Sequence, residues 1–141
     1  MIEVWIDGLC EPVIPKHERT ACLGYVIKKN DKVVEKGSEV VGIGEDMTNN
    51  VAEYAALIRA LERIKDLVLE GPVIVRSDSR LVVNQMRGDW RVKAPLIVPL
   101  YHQAVALADG RNIVFEWVAR EKNTEADHLA HNAYDTRQRR H

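Results

Sequence analysis

Two cysteines in 141 residues, Cys10 and Cys22, are too few for a disulfide framework and lack the spacing of a zinc site. They read as free, buried thiols. No apolar run approaches the roughly 20 residues of a membrane-spanning helix. The N-terminus has no charged-then-apolar leader, so the chain is expected in the cytoplasm with no membrane partner. Neither sign of charge dominates: the net charge is −1, which excludes a protein that grips nucleic acid by bulk charge alone. A glycine-rich phosphate loop and the Ser-His-Asp or Cys-His orders of covalent hydrolases are missing too, and no organic cofactor is expected.

What is present is an ordinary globular composition, 46% apolar and 29% charged, long enough to bury a core as a single domain over 1–141. Charge is unevenly spread. Residues 1–75 carry 9 Lys and Arg against 13 Asp and Glu, and residues 76–141 carry 11 against 8. Any polyanion surface should come mainly from the second half.

Thr48-Asn49-Asn50-Val51-Ala52-Glu53-Tyr54 opens the longest helical pattern. Asn50 and Glu53 read as a capping pair, and Leu57, Leu61 and Ile64 form a core-facing stripe as the helix runs to about Leu69. Glu53 lies on that stripe, and a carboxylate on an apolar face needs a partner. Before it, Met1 to Asp7 alternates as a strand ended by Asp7-Gly8. Leu9 to Thr20, with Pro12 and Pro15, reads as a loop. Ala21 to Lys28 and Lys32 to Val41 read as an antiparallel hairpin linked by Lys29-Asn30-Asp31. After it, Val73-Ile74-Val75 reads as a buried strand, and a helical pattern through Leu81, Val82, Gln85 and Met86 closes at Gly88. Pro95 to Ala108 reads as another helix, Ile113 to Trp117 as a last strand, and Asn123 to about Thr136 as a final helix before a basic tail. Three strands followed by alternating strands and helices predict an α/β fold, a five-stranded mixed sheet with its first three strands antiparallel and helices on both faces.

Four carboxylates fall at the ends of these elements: Asp7, Glu53, Asp78 and Asp127. Each has a plain structural reading. Asp7-Gly8 is a common turn pair, Glu53 can cap Asn50, Asp78 can cap a helix, and Thr124 to Asp127 matches a capping box. Together they say more. In open sheets, sites form beyond the ends of parallel strands, where helix starts gather. Parallel neighbours one and four would set Asp7 beside Asp78, with the starts of two helices bringing in Glu53 and Asp127. Four clustered carboxylates repel unless cations are present. All-oxygen ligands select hard ions, Mg²⁺ or Mn²⁺, and two such ions roughly 4 Å apart serve in-line attack at phosphorus.

Asp7-Gly8-Leu9-Cys10, Thr48-Asn49-Asn50-x-x-Glu53, Asp78-Ser79, and Asn123-x-x-x-Asp127 following Trp117-Val118-x-Arg120-Glu121 resemble type 1 ribonuclease H, most closely its compact archaeal branch, in order over nearly the whole chain. The resemblance implies a monomeric, metal-dependent endonuclease that cuts the RNA strand of an RNA–DNA hybrid to 5′-phosphate and 3′-hydroxyl ends. Asp7 would bridge two ions, with Glu53, Asp78 and Asp127 completing their shells. Asn49 and Asn50 would read the minor groove, Gly8 and Cys10 would lie along the RNA strand, and Thr48 would hold a DNA-strand phosphate. Trp90, Arg91 and Lys93 suit further backbone contacts.

Three departures stand out. Only Gly88 to Ala94 replaces a long basic helix, the loop before Asn123 offers Arg120-Glu121-Lys122 where many members carry a histidine, and Ile14 and Arg80 replace polar amides. His128 and His131 share a face of the last helix, but no Cys or further His joins them, so they read as a solvated face. Two alternatives use the same fold: a nuclease of double-stranded RNA or DNA junctions, and a module that binds hybrids without cutting.

Overall fold

Ile2, Val4 and Ile6 point one way from their strand and Glu3, Trp5 and Asp7 the other, and in the computed structural model, which describes residues 1–139, this strand does not stop at Asp7. It runs on as β1 (Ile2–Glu11). The reason is its partner. β2 (Thr20–Lys29) pairs antiparallel with β1 along its full length, from Ile2 opposite Lys29 to Glu11 opposite Thr20, so the backbone groups past Gly8 are satisfied by the ladder. β3 (Lys32–Ile43) pairs antiparallel with β2. The link between them is only Asn30-Asp31, because Lys29 is paired with Lys32. Asn30 and Asp31 have φ of 52° and 65°, the left-handed conformation that a two-residue hairpin needs and that these two residue types tolerate.

β4 (Val73–Ser77) and β5 (Ile113–Trp117) add in parallel, giving the order β3-β2-β1-β4-β5. The sheet is mixed, with the first three strands antiparallel, as the alternation of elements indicates. Among the described residues there are four α-helices, α1 (Asn49–Asp66), α2 (Arg80–Arg87), α3 (Val98–Ala108) and α4 (Thr124–Arg139); α1, α2 and α4 pack on the sheet, and α3 packs on α1. α1 ends before Leu69 because Val68, at φ 53°, turns the chain back and lets the Leu69 N–H bond to Ile64 O at 3.0 Å. α3 starts at Val98, with Pro99 in its first turn and Pro95 outside it. α4 runs beyond Thr136 and takes in Arg137 and Arg139, cations favoured in a last turn. The rest of the expected tail, Arg140 and His141, lies outside the described residues.

One sheet face, carrying Ile2, Val4, Ile6, Tyr25 and Val75, packs on Leu57, Leu61 and Ile64 of α1 and on Val82 and Val83 of α2. The other carries Leu9 and Cys22 against Ala130 and Ala133 of α4. Two glycines set how close the helices come. A Cβ on Gly8 would sit 2.3 Å from the Ala52 carbonyl carbon of α1, and one on Gly24 would sit 2.2 Å from Ala126 O of α4. Both cysteines are free and buried. Among the described residues no helix is long and apolar enough to cross a membrane.

Candidate active site

The parallel β1–β4 ladder ends with Ile6 opposite Ser77. The next residue on each strand is an acid, Asp7 and Asp78. Asp7 is therefore mid-strand on its antiparallel side and at the ladder's end on its parallel side, a placement the turn reading of Asp7-Gly8 does not give. α1 arrives over Gly8 so closely that Glu53, at the start of its second turn, reaches the Gly8 amide. That N–H donates both to Asp7 Oδ1, at 3.0 Å, and to Glu53 Oε1. One ligand oxygen from each of Asp7, Glu53 and Asp78 lies within 4.8 Å of the others. Asp127, on α4, lines the same hollow of about 600 Å³.

The expected caps are displaced by one or two positions, and this frees the acids. α1 is capped by Thr48, whose hydroxyl accepts from Val51 N–H at 3.1 Å, so Asn50 is inside the helix and Glu53 does not bond to it. α2 is capped by Ser79, accepting from Val82 N–H at 3.2 Å, not by Asp78. The Asp78 carbonyl is fixed by the Trp117 indole N–H at 3.1 Å, and its carboxylate turns into the hollow.

Asp7 and Glu53 are each only 6% exposed. Burial pushes the Asp7 carboxyl up to about 7; the Glu53 hydrogen bond opposes this, and the charges of Asp78 and Asp127 add to it. Burial first, then the Asp7 charge, holds Glu53 well above the usual carboxylate range. Asp78 is raised as well, by burial and Asp127, against the pull of Arg120. Its Nε stands 4.0 Å from Asp78 Oδ2. A cluster that resists ionising this strongly, built only of oxygen donors, fits hard divalent cations.

Gly8, Cys10, Asn49, Asn50 and Arg120 all line this hollow. Asn49 is fixed by accepting the Cys10 N–H at 2.9 Å. Thr48 lies in an adjoining depression that shares Cys10 and Asn49 and adds Arg19. Trp90, Arg91 and Lys93 are elsewhere, in a recess of about 570 Å³ with Tyr101 and His102. Sequence reasoning missed three residues. His131 lines the hollow, with Nε2 3.4 Å from Asp127 Oδ1; the i,i+4 spacing from Asp127 was the available signal. Trp117 forms a wall, with the Arg80 guanidinium 3.8 Å from its ring centroid. Asn123, within the recognised motif, is buried and donates from Nδ2 to Ile6 O at 2.8 Å.

A family model described as reverse transcriptase-like matches residues 12–133. The bifunctional protein Rv2228c of Mycobacterium tuberculosis is 51% identical over 90 residues, 62% of this chain and 24% of that protein. The crystal structure of its N-terminal RNase H domain, fused to maltose-binding protein, superposes with a TM-score of 0.84 at 37% identity, over 96% of this chain and 94% of that one. Ribonuclease HI of Halobacterium salinarum is 35% identical over 120 residues, 82% of this chain and 57% of that protein. LC11-RNase H1 in complex with an RNA/DNA hybrid superposes with a TM-score of 0.86 at 34% identity, over 98% and 99% of the two chains. The chain thus spans from about a quarter to just over half the length of these two curated relatives.

Proposed function

This chain belongs to the type 1 ribonuclease H family, and from that premise we propose that it cuts the RNA strand of RNA–DNA hybrids, leaving 5′-phosphate and 3′-hydroxyl ends. The observation that carries the reading is the approach of Asp7, Glu53 and Asp78 within 4.8 Å, in a hollow that Asn49 and Asn50 also line. Asp7 interacts electrostatically with each of the other three acids, which suits it to hold two cations, Mg²⁺ or Mn²⁺, with Glu53, Asp78 and Asp127 completing the set. When bound, such ions supply activation of the attacking water and charge stabilisation at the departing 3′-oxygen.

The chain's own groups select and place the substrate. Asn49 Oδ1 is engaged by the Cys10 amide, so its Nδ2 hydrogens are left to donate to the acceptors that every base pair presents in the minor groove. Glu53, which lines the hollow, would accept from a ribose 2′-hydroxyl, the group that distinguishes RNA from DNA. Arg120, with its side chain 87% exposed, is free to follow a phosphate. Thr48 beside Arg19, and the separate Trp90, Arg91 and Lys93 recess, are two places for the DNA strand's backbone. The same reading takes residues 1–141 as one domain acting as a cytoplasmic monomer.

End-labelled hybrid, duplex RNA and duplex DNA, incubated with Mg²⁺, Mn²⁺ or chelator, test it. Cleavage of the hybrid's RNA strand alone, lost with chelator and in Asp7→Asn, is expected. Equal cutting of duplex RNA would refute hybrid selectivity, and binding without cutting would replace the enzyme with a module.

A further inference from the structure

Two buried side-chain polar atoms find no partner among the described residues, the indole Nε1 of Trp5 and the amide Oδ1 of Asn123. Protein interiors leave few such groups, and ordered water commonly satisfies them. Both residues line one pocket of about 100 Å³, together with Val26, Lys28 and Lys122. One offers a donor without an acceptor and the other an acceptor without a donor. A single water needs about 10–15 Å³ on this measure, so there is room for one or more.

Both ends of this gap are held. Arg76, opposite Trp5 on β4, lies 5.0 Å from an indole ring centroid and is tied to Glu3 at 3.3 Å and Glu116 at 3.4 Å. Asn123, 1% exposed, donates to Ile6 O at 2.8 Å, and its own carbonyl accepts from the Asp127 N–H at 3.2 Å. Ile6 immediately precedes Asp7. Asn123 therefore joins the strand that carries one acid to the helix start that carries another.

We propose that an ordered water accepts from Trp5 Nε1–H and donates to Asn123 Oδ1, and that Trp5 acts through it as a positioning residue for Asp7 and Asp127. The Ile6 carbonyl can only accept, so it sets which way the Asn123 amide faces; the water satisfies the Oδ1 left on the other side and holds the side chain there. Removing the indole donor loosens that hold, and the two acids lose part of their common register. The catalytic consequence rests on the ribonuclease reading; the water does not.

Wild-type protein ¹⁵N-labelled at tryptophan should show a cross-peak from the Trp5 indole N–H to a long-lived water, assigned by its loss in Trp5→Phe. An indole that meets no slow water overturns the proposal. Hybrid cleavage and Mg²⁺ binding are then compared for Trp5→Phe, Asn123→Ala and the double variant. Outer-shell partners of metal ligands are worth about 10–100-fold, so Trp5→Phe should lower kcat and Mg²⁺ affinity about 10-fold with KM for hybrid unchanged. The double variant should be no worse than Asn123→Ala, and full multiplication of the two effects would overturn the link. If the wild type cut no hybrid, the ribonuclease reading would fail by itself, while the cross-peak and the Mg²⁺ isotherms would still decide this one.

Discussion

Replacing Asp7 by Asn should make the metal-free protein more stable and, at the same time, inactive. Asp7 is 6% exposed, and burial together with its acidic neighbours carries its carboxyl from 3.8 to about 7. With a folded-state pKa above the unfolded one, the folded protein binds more protons between those two values. Its stability contribution is whole below 3.8, falls as pH rises toward about 7, and is gone above. At 1.36 kcal/mol per unit the ceiling is roughly 4 kcal/mol, and sharing the proton with Glu53 brings the expected gain at pH 8 to roughly 2–4 kcal/mol. Asn keeps an oxygen for the Gly8 N–H and turns a donor toward the neighbouring carboxylates. Urea unfolding in chelator at pH 5 and pH 8 measures the effect. The variant should gain roughly 2–4 kcal/mol at pH 8, a Tm rise of roughly 10 °C, and less than half of that gain at pH 5, where the folded Asp7 keeps its proton but the unfolded carboxyl, at 3.8, has mostly lost it. Saturating Mg²⁺ should close the gap by binding the wild type alone. A variant no more stable than wild type at pH 8 would refute the claim that Asp7 is held as an uncompensated charge.

Thr48→Val should cost about 1 kcal/mol in urea unfolding, because it removes the hydroxyl that caps α1, whereas Asn50→Ala should cost less; the reverse order would return the cap to Asn50. His131→Ala should lower kcat about 10-fold while leaving Tm unchanged, since its imidazole meets Asp127 at 3.4 Å with half its surface in solvent; wild-type turnover would make that approach a surface contact only. Trp90→Ala and Lys93→Ala should raise KM for hybrid without changing kcat, and Lys93→Ala should reduce the salt dependence of binding by about one phosphate contact; unchanged KM in both would remove the recess of Trp90, Arg91 and Lys93 from the substrate path.

Periodicity made most of the architecture legible. The alternation of Ile2, Val4 and Ile6, the α1 stripe of Leu57, Leu61 and Ile64, and the Gly88 stop of α2, at φ 85°, are local signals that the tertiary structure respects. What periodicity could not supply is where a local signal has a distant cause. Gly8 looks like half of a turn, but it is a glycine because α1 crosses there, and the strand continues through it. Thr48 and Asn50, and likewise Asp78 and Ser79, are rival caps a residue or two apart, and only the direction of the chain into each helix decides between them. The convergence of Asp7, Glu53 and Asp78 was legible from element order, since parallel neighbours must end side by side. His131 was not, because a surface histidine becomes part of a site only once the sheet has brought Asp7 to α4. Trp5 and Asn123 meet across a pocket, and no spacing rule connects them.

The most direct measurement is calorimetric titration of Mg²⁺ into the protein at pH 8 with a non-cleavable hybrid bound, for wild type and Asp7→Asn. Two ions per chain in the wild type, and none at those sites in the variant, is the expected result. An Asp7→Asn isotherm that matches the wild type would contradict a shared carboxylate centre.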